Sequence, residues 1–480
     1  MRDVLPDLMD AAAGRSDYAD VRHVRSSAET VSTRNGRVEL VRQWQEEGFG
    51  VRVRIGGAWG FAAARGNEKA AAEDALARAI AVAEAQPRID DGVVALAPEE
   101  AASGTYSTPV EIDPFSVSLE DKLALLTEAD AAMRGDPRIA LTGAHFDAYR
   151  DDKVFCSTEG AYCEQRIVEC GGGLAATATS DSETQVRSYP GAHREQVSQA
   201  GYEHFAGLRL AEEAPRVAEE AVALLTAPPC PAEVTTIVLN GEQVALQVHE
   251  SVGHAVELDR VLGREASYAG TSFVSASDLG SLQYGSPAMN VTADATVAEG
   301  LGTFGWDDEG VAAHAVPIVR EGVLRGFLSS RETAAEIGLE RSGGCMRGEG
   351  FSRQPIIRMT NVNLEPGDAG SLEDLIADTD HGIYMATNRS WSIDSRRLQF
   401  QFATEAAWEI RDGRLGRLLR NPSYAGVTPQ FWASLDAVCD RSAWRLWGVL
   451  NCGKGEPGQS MHVSHGAAPA RFRNVQVGVA

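Results

Sequence analysis

The sequence predicts an α+β protein with two domains, and three observations support this. Apolar and polar residues alternate along roughly the first 65 residues and again through much of the second half, as in half-buried strands. Stretches with helical spacing lie between these regions. A proline-rich break, APPCPAE at 227–233, cannot continue a helix. We therefore predict an N-terminal α/β domain at 1–229 and a β-rich C-terminal domain at 230–480.

The first predicted elements are strands that pair antiparallel through tight turns. Asn35-Gly36 and Gly56-Gly57 are dipeptides that favour two-residue hairpin turns, because both positions tolerate a left-handed backbone. Short strands are expected again at 139–190, where alternation returns.

Helices are predicted at three places in the N-terminal domain: 68–86, 119–134 and 195–226. For the first, Asn67 is the expected cap and Pro87 the expected stop. For the second, Ser118 and Asp121 have the spacing of a capping box, in which each side chain satisfies a backbone N–H group of the first turn.

The C-terminal domain is predicted to begin with one strand and one helix. The strand is the β-branched run VTTIVLN at 234–240, and the helix contains QVHESVGHAVELD at 247–259. Four valines of this helix form a stripe suited to packing on a sheet: Val244, Val248, Val252 and Val256. From about residue 270 onward, short apolar runs alternate with Gly, Asp and Asn turns, which favours strands.

Composition and charge argue against several functions. The formal net charge of −24 repels phosphates and anionic lipid, so neither nucleic acid nor a membrane surface is an expected partner. No apolar run approaches the ~18 residues of a membrane span. The first residues lack the cationic start and apolar run of an export signal, and the seven cysteines form no CxxC pair. Together these features predict a cytoplasmic protein with reduced thiols.

The segment QVHESVGHAVELD carries the main chemical signal. Zinc-protease helices place two histidines four residues apart on one face, with a glutamate after the first, whereas His249 and His254 are five residues apart. On a regular helix this spacing separates them by about 140°, too far to share one ion. Gly253 occupies the fourth position, and a π-bulge or local break there would turn His254 back towards His249. The segment therefore predicts a metal site on a distorted helix; the alternative is two histidines in a core.

Catalytic zinc takes three protein ligands and keeps a fourth position for water, so a third ligand is required. The residues alone leave five candidates open: Cys452, Glu257, Asp259, His462 and His465. We expect Cys452 to lie in a glycine-rich loop, and Lys454 nearby would favour the thiolate form that binds metal. The carboxylates could instead orient the histidines through hydrogen bonds.

Several segments resemble the TldD/TldE (TldD/PmbA) family of zinc metallopeptidases, in particular its TldD branch. HESVGHAVELD is similar to the family's zinc motif, and NGRVELVRQWQEEGFGVRVRIGGAWGFAA (35–63) is similar to its N-terminal pattern. Further segments resemble its C-terminal signatures: GTFGWDDEG (302–310), RMTNVNLEPGD (358–368), SWSIDSRRLQFQFATEAAWEIRDGRLGRLLRNPSYAG (390–426) and NCGKGEPGQ (451–459). The resemblance covers nearly the whole chain, although RSGGCMRGEGF (341–351) is looser than the family pattern.

The resemblance implies a role for each of four residues. His249, His254 and Cys452 match the family's zinc ligands, and Glu250 matches its catalytic acid/base. A TldE-like paralogue is expected to lack these residues. The resemblance therefore implies that this chain is the catalytic subunit of a heterodimer with a TldE/PmbA-like protein, and a homodimer is the alternative.

The expected activity is zinc-dependent hydrolysis of peptide bonds in peptides or unfolded polypeptides. Zn²⁺ would acidify a water and polarise the carbonyl, and Glu250 would act as general base. The donor to the oxyanion is left open among His465, His462 and a backbone N–H group. A non-catalytic peptide-binding subunit is the alternative function, and the four intact residues argue against it.

The segment GWDDEG contains three consecutive acids, Asp307, Asp308 and Glu309. We predict a solvated turn between strands at this place. The alternative is that these acids contact the N-terminus or the backbone of a bound peptide.

Overall fold

The computed structural model describes residues 4–86, 95–191 and 195–479. It confirms the α+β class: helices and antiparallel strands form the first half, and strands dominate the second. The elements of the first half are α1 (Val4–Ala13), β1 (Tyr18–Arg34), β2 (Arg37–Ile55), β3 (Ala58–Arg65), α2 (Lys69–Ala85), β4 (Ser103–Ser107), α3 (Leu119–Met133), β5 (Ile139–Ser157), β6 (Tyr162–Thr179), β7 (Thr184–Tyr189), β8 (Gln196–Ser198), α4 (Tyr202–Gly207) and α5 (Leu210–Leu224).

The strands of the first half form one sheet in the order β3-β2-β1-β5-β6-β4, and β7 and β8 also pair with β6. Helices cover one face: α1 and α2 pack on β1 to β3, and α3 and α5 pack on β5 and β6. Phe146 of β5 faces these helices. Because side chains alternate along a strand, the odd-numbered residues of β5 point to the opposite face. There Tyr149 contacts His462 of the second half, with 4.7 Å between ring centroids.

The predicted hairpin turns and the cap of α3 are confirmed. Asn35 and Gly36 join β1 to β2 with φ of 47° and 75°, the left-handed pair that a two-residue turn of this kind needs. Ser118 accepts a hydrogen bond from the Asp121 backbone N–H group at the start of α3.

Four local predictions are wrong. The region predicted as strands begins with α1, whose apolar side chains pack against the sheet. β5 and β6 have 19 and 18 residues rather than being short, because they pair with each other along nearly their whole length. The predicted helix at 195–226 is divided into β8, α4 and α5, since β8 pairs with β6. The N-cap residue of helix α2 is Glu68 rather than Asn67. The predicted stop of this helix, Pro87, lies outside the described residues.

The second half is built mainly of strands. Its elements are β9 (Glu233–Leu239), α6 (Gly241–Val248), α7 (Leu258–Val261), β10 (Val291–Asp294), β11 (Ala315–Arg320), β12 (Val323–Leu324), α8 (Arg331–Glu336), β13 (Met346–Arg347), β14 (Ile356–Ile357), β15 (Val362–Leu364), α9 (Leu372–Ala377), β16 (His381–Ile393), β17 (Gln399–Arg411), β18 (Arg414–Leu419), β19 (Ser423–Val427), α10 (Thr428–Ala433), β20 (Leu435–Val438), β21 (Arg445–Lys454), β22 (Gln459–Ala467) and β23 (Ala470–Val477). No helix within the described ranges is long and apolar enough to cross a membrane.

The largest sheet of this half packs through β16 against the helix that carries the motif, and β15, β21 and β22 contact the same helix. Its strands follow the order β16-β9-β23-β19-β17-β18, and an additional pairing of β16 with β17 closes five of them into a ring. A smaller sheet, β12-β11-β10-β15, and two strand pairs, β13–β14 and β21–β22, complete the half. The four valines of the predicted stripe are fully buried in the shared core, as predicted. The helix is therefore held on several sides. The division of the chain between residues 229 and 230 remains a prediction.

Candidate metal centre

The helix that begins at Gly241 changes its winding where the two histidines lie. After α6, residues His249–Gly253 form one π-helical turn and His254–Val256 form a 3₁₀ turn. The backbone N–H group of His254 donates to the His249 carbonyl, five residues earlier, which is the π-helical hydrogen bond. The imidazole centroids are 4.8 Å apart as a result. The predicted distortion is confirmed, and it removes the angular separation of a regular helix.

Gly253 is required at this turn because no side chain fits there. A Cβ atom on Gly253 would lie 2.0 Å from Sδ of Met359, and Met359 is itself fully buried. The extra residue of the π turn is thus accommodated by a glycine packed directly against a core methionine.

Replacing Gly253 by Ala is expected to lower the free energy of unfolding by about 1–3 kcal/mol, because the new methyl group overpacks the core. Denaturant unfolding of the variant measures this difference. Gly207→Ala is the matched control, since nothing lies within 4 Å of the position of its added Cβ atom. Wild-type stability in Gly253→Ala would contradict the close packing seen here, and the cost of Gly253→Ala should be smaller when it is measured in a Met359→Ala background.

Cys452 joins the two histidines from the hairpin β21–β22. Its Sγ atom is 3.6 Å from Nε2 of His254, and potential ligand atoms of all three residues lie within 4.8 Å of one another. Relative exposures are 3% for each histidine and 2% for the cysteine. Cys452 lies within strand β21 rather than in a loop. Of the five candidates for the third position, it is the one that the structure places with both histidines.

His465 orients His249 and is not placed as a third ligand. Its Nδ1 atom lies 2.8 Å from the carbonyl oxygen of Val362, which can only accept, so Nδ1 carries the proton. Burial, with His249 nearby, keeps the pKa of His465 well below its usual value, so Nε2 is an acceptor. That atom is 2.7 Å from Nδ1 of His249, which therefore donates to it. The lone pair of His249 Nε2 is left for a metal, as in other metal-binding histidines.

His254 is oriented in the same way by a carboxylate. Its Nδ1 atom donates to Glu257 Oε2 at 3.0 Å, which leaves Nε2 on the side of Cys452. Burial opposes ionisation of Glu257, but Lys454 and His254 hold its pKa well below the usual value. Asp259 accepts two hydrogen bonds from the Lys454 ammonium, at 2.8 and 2.9 Å. Both carboxylates thus serve as partners of basic groups.

The expectation that Lys454 favours the Cys452 thiolate is wrong, because its ammonium group is directed to the two carboxylates. The charge beside the thiol is the guanidinium of Arg358, which donates to the Cys452 carbonyl. Burial opposes ionisation of Cys452, yet Arg358 and His254 lower its pKa below the usual value. The conclusion that the thiolate is favoured therefore stands with a different cause.

Glu250 lies in the same pocket as these three side chains. It is 6% exposed, and it accepts hydrogen bonds from the Arg397 guanidinium and the Trp391 indole. Burial opposes its ionisation, but His249 and Arg397 lower its pKa below the usual value. Sequence reasoning missed Arg397. It lies in the turn between β16 and β17 with a left-handed φ of 61°, which no local pattern signals for an arginine.

His462 lies away from the three clustered side chains. It is on the strand face opposite His465, and its Nδ1 atom is 2.5 Å from Glu169 Oε2 on β6. Although burial opposes protonation, the Glu169 carboxylate raises the pKa of His462. His462 does not line the metal pocket, and both ring nitrogens of His465 are engaged, so neither histidine is positioned to donate to an oxyanion there.

The predicted solvated turn at Asp307, Asp308 and Glu309 is wrong, because these acids are only 2%, 1% and 5% exposed. Asp308 binds Arg22 and Lys153 of the first half, at 3.0 and 2.7 Å. The other two acids accept backbone N–H groups. Through Asp308, this acidic segment connects the two halves of the chain.

The cluster of His249, His254 and Cys452 fits a zinc ion by its donors. Two imidazole nitrogens and one thiolate sulfur form a ligand set that zinc prefers over hard cations such as Mg²⁺ or Ca²⁺. Both histidines present Nε2 because their Nδ1 atoms are engaged elsewhere. The arrangement can therefore hold a metal beside a carboxylate able to move a proton.

Comparison with known proteins gives consistent matches over nearly the whole chain. Three family models match: PmbA/TldA metallopeptidase domain 1 at 19–85, the central domain at 112–227 and the C-terminal domain at 232–479. A metalloprotease of Methanothermobacter thermautotrophicus is 30% identical over 99% of this chain and 97% of its own length. A zinc metalloprotease TldD homolog of Saccharolobus solfataricus is 26% identical over 50% of this chain and 51% of its own length.

Solved structures share the fold. The crystal structure of TldE from Thermococcus kodakarensis superposes with a TM-score of 0.79 at 16% identity. The match covers 99% of this chain and 100% of TldE. At this identity the likeness concerns the arrangement of the backbone.

Proposed function

The chain belongs to the PmbA/TldD family of metallopeptidases, and on that premise we propose that it is a zinc-dependent peptidase. Its substrates are peptides or unfolded polypeptides. The observation that carries this proposal is the placement of Glu250 in one pocket with His249, His254 and Cys452. The relative of Saccharolobus solfataricus, named a zinc metalloprotease, supports zinc as the metal.

The residues of the pocket have separate roles in hydrolysis. Bound zinc supplies a Lewis acid that polarises the scissile carbonyl and acidifies water. Glu250 takes the proton of the attacking water on its carboxylate and delivers it to the leaving amine. Arg397 keeps that carboxylate ionised and pointed into the pocket. A backbone N–H group is the remaining candidate of the predicted oxyanion donors.

The hydrogen bonds that hold the two histidine rings prepare them to bind the metal. His465 and Glu257 fix the rings of His249 and His254, so that the free Nε2 atoms converge without rearrangement. A prepared ligand set of this kind avoids the cost of ordering side chains when the metal binds.

We further propose that the active form is a pair. A TldE/PmbA-like paralogue is the proposed partner, and the shared fold with TldE supports it, because two chains of one fold can form a pseudo-symmetric dimer. Self-pairing is the alternative. Light scattering of this chain alone and after mixing with such a paralogue from the same organism distinguishes the two.

Cleavage of unfolded polypeptides, followed by mass spectrometry, tests the proposed activity. The chain mixed with its paralogue is expected to cut an unfolded protein and to leave the folded form intact; cleavage by the chain alone would indicate the self-paired alternative. Dialysis against a chelator should abolish cleavage and added Zn²⁺ should restore it, because the pocket needs the Lewis acid. Equal cleavage by the metal-free protein would contradict the proposal.

A further inference from the structure

A second cavity lies between the sheet of the first half and the hairpin β21–β22. Its volume is about 270 Å³, and its walls share no residue with the metal pocket. The two spaces nevertheless adjoin across one strand pair. Gly453 and Cys452 line the metal pocket, and their register partners Ser460 and Met461 line the cavity. The function proposed above does not use this space.

The walls of the cavity combine acidic and aromatic groups. Six acidic residues and three arginine or lysine residues line it, so its formal charge is negative. Four aromatic side chains also line it: Trp44, Tyr149, Phe304 and Trp306. Trp44 is 39% exposed on β2, so its ring is accessible from solvent. Acidic groups beside aromatic faces are the surroundings that bind organic cations.

The basic residues of the wall are engaged with other groups. Lys153 pairs with Asp308, and Arg150 pairs with Asp113. Arg347 donates to three carbonyl oxygens, those of Met359, His462 and Leu301. None of the three forms an ion pair with Asp151, the acid at the middle of β5.

Asp151 forms no direct ion pair with a described arginine, lysine or histidine, although Lys153 and His462 lie near enough to favour its charged form. Ser26 of β1 donates a hydrogen bond to it. Burial raises the pKa of Asp151, although Ser26, Lys153 and His462 oppose the change. Burial and the acids Asp147, Glu195 and Glu169 likewise raise the pKa of Tyr149.

We propose that the cavity binds a lysine or arginine side chain of the peptide substrate, with Asp151 as its counter-ion and the rings of Trp44 and Tyr149 against its apolar stem. This inference rests on the proposed peptidase function. Paired strands are about 5 Å apart and an extended peptide advances about 3.3 Å per residue. Gly453 and Ser460 form the rim between the metal pocket and the cavity. If a bound peptide crosses this rim, a side chain only a few residues from the bond cut near Glu250 enters the cavity.

Calorimetric titration of the full-length chain with three small probes tests the site directly. N-acetyl-arginine amide is expected to bind about tenfold tighter than N-acetyl-citrulline amide, which has the same shape without the charge. N-acetyl-lysine amide should follow the arginine probe. Equal affinity for the arginine and citrulline probes would overturn the proposal.

Substitutions test whether the arginine probe binds at Asp151. Asp151→Asn should remove the preference for arginine, while Asp152→Asn should keep it. Asp152 is the next residue of β5, lies outside this cavity and pairs with Arg166 at 2.5 Å, so its substitution changes the net charge equally. Equal losses in both variants would show a bulk charge effect and overturn the site. If Asp151→Asn fails to fold, Trp44→Ala at the exposed wall replaces it, and unchanged binding there would count against the proposal.

The titrations measure binding of the probes without any cleavage. The cation site and the peptidase function are therefore tested independently. A chain that cleaves peptides but binds arginine and citrulline probes equally retains the proposed function and loses this subsite. A chain that prefers the arginine probe but cleaves nothing, with or without its partner, has the cation site but loses the proposed function, and with it the role of the cavity in substrate selection.

Discussion

Glu250→Gln is expected to lower kcat for peptide hydrolysis by about 10²–10⁴-fold, the usual contribution of a general base. The amide keeps the shape of the side chain and can still contact Arg397 through its oxygen, but it cannot take a proton from water. Single-turnover cleavage of an unfolded polypeptide measures the loss. Zinc per chain should remain that of the wild type, because Glu250 is not among the clustered ligand residues.

The same variant separates the two candidate functions. A peptide-binding subunit without catalysis would show no cleavage in either form and equal peptide affinity in both. A peptidase should show cleavage in the wild type, loss of cleavage in Glu250→Gln and retained peptide binding. Wild-type kcat in the variant would contradict the role of Glu250 as general base.

Cys452→Ala is expected to lose most of the bound zinc and with it most of the activity. A site reduced to two imidazole ligands falls below the three protein ligands of catalytic zinc centres. Plasma mass spectrometry on protein purified without chelators measures zinc per chain. The variant should also retain its fold, because replacing the buried cysteine by Ala removes a single sulfur atom and leaves only a small gap.

Cys345→Ala is the matched control for this loss. Cys345 is a free, buried thiol in the same half of the chain, 1% exposed, and it is not among the clustered ligand residues. Its replacement should leave about one zinc per chain. Equal zinc in wild type and Cys452→Ala would show that the metal is held elsewhere.

The sequence predicted the parts of the site that depend on local spacing. His249, Glu250 and His254 lie within one turn or so, and the glycine between them indicated the π turn that the structure contains. Cys452 could not be selected by residue chemistry alone. It lies 198 residues from His254 and reaches it only because β21 packs beside the helix.

Properties that depend on distant contacts were predicted least well. Asp308 was expected to be solvated, yet Arg22 approaches it from 286 residues away and makes its burial tolerable. The role of His465 similarly depends on the Val362 carbonyl, which fixes its tautomer. Alternation of apolar residues showed that β5 and β6 exist, but their length follows from pairing across the sheet.

X-ray absorption at the zinc edge of the zinc-loaded protein is the most direct test of the ligand set. We expect one sulfur neighbour at about 2.3 Å and nitrogen or oxygen neighbours at about 2.0–2.1 Å. The sulfur shell should vanish in Cys452→Ala and persist in Cys345→Ala. A zinc-loaded wild type without any sulfur neighbour would contradict a centre built from His249, His254 and Cys452.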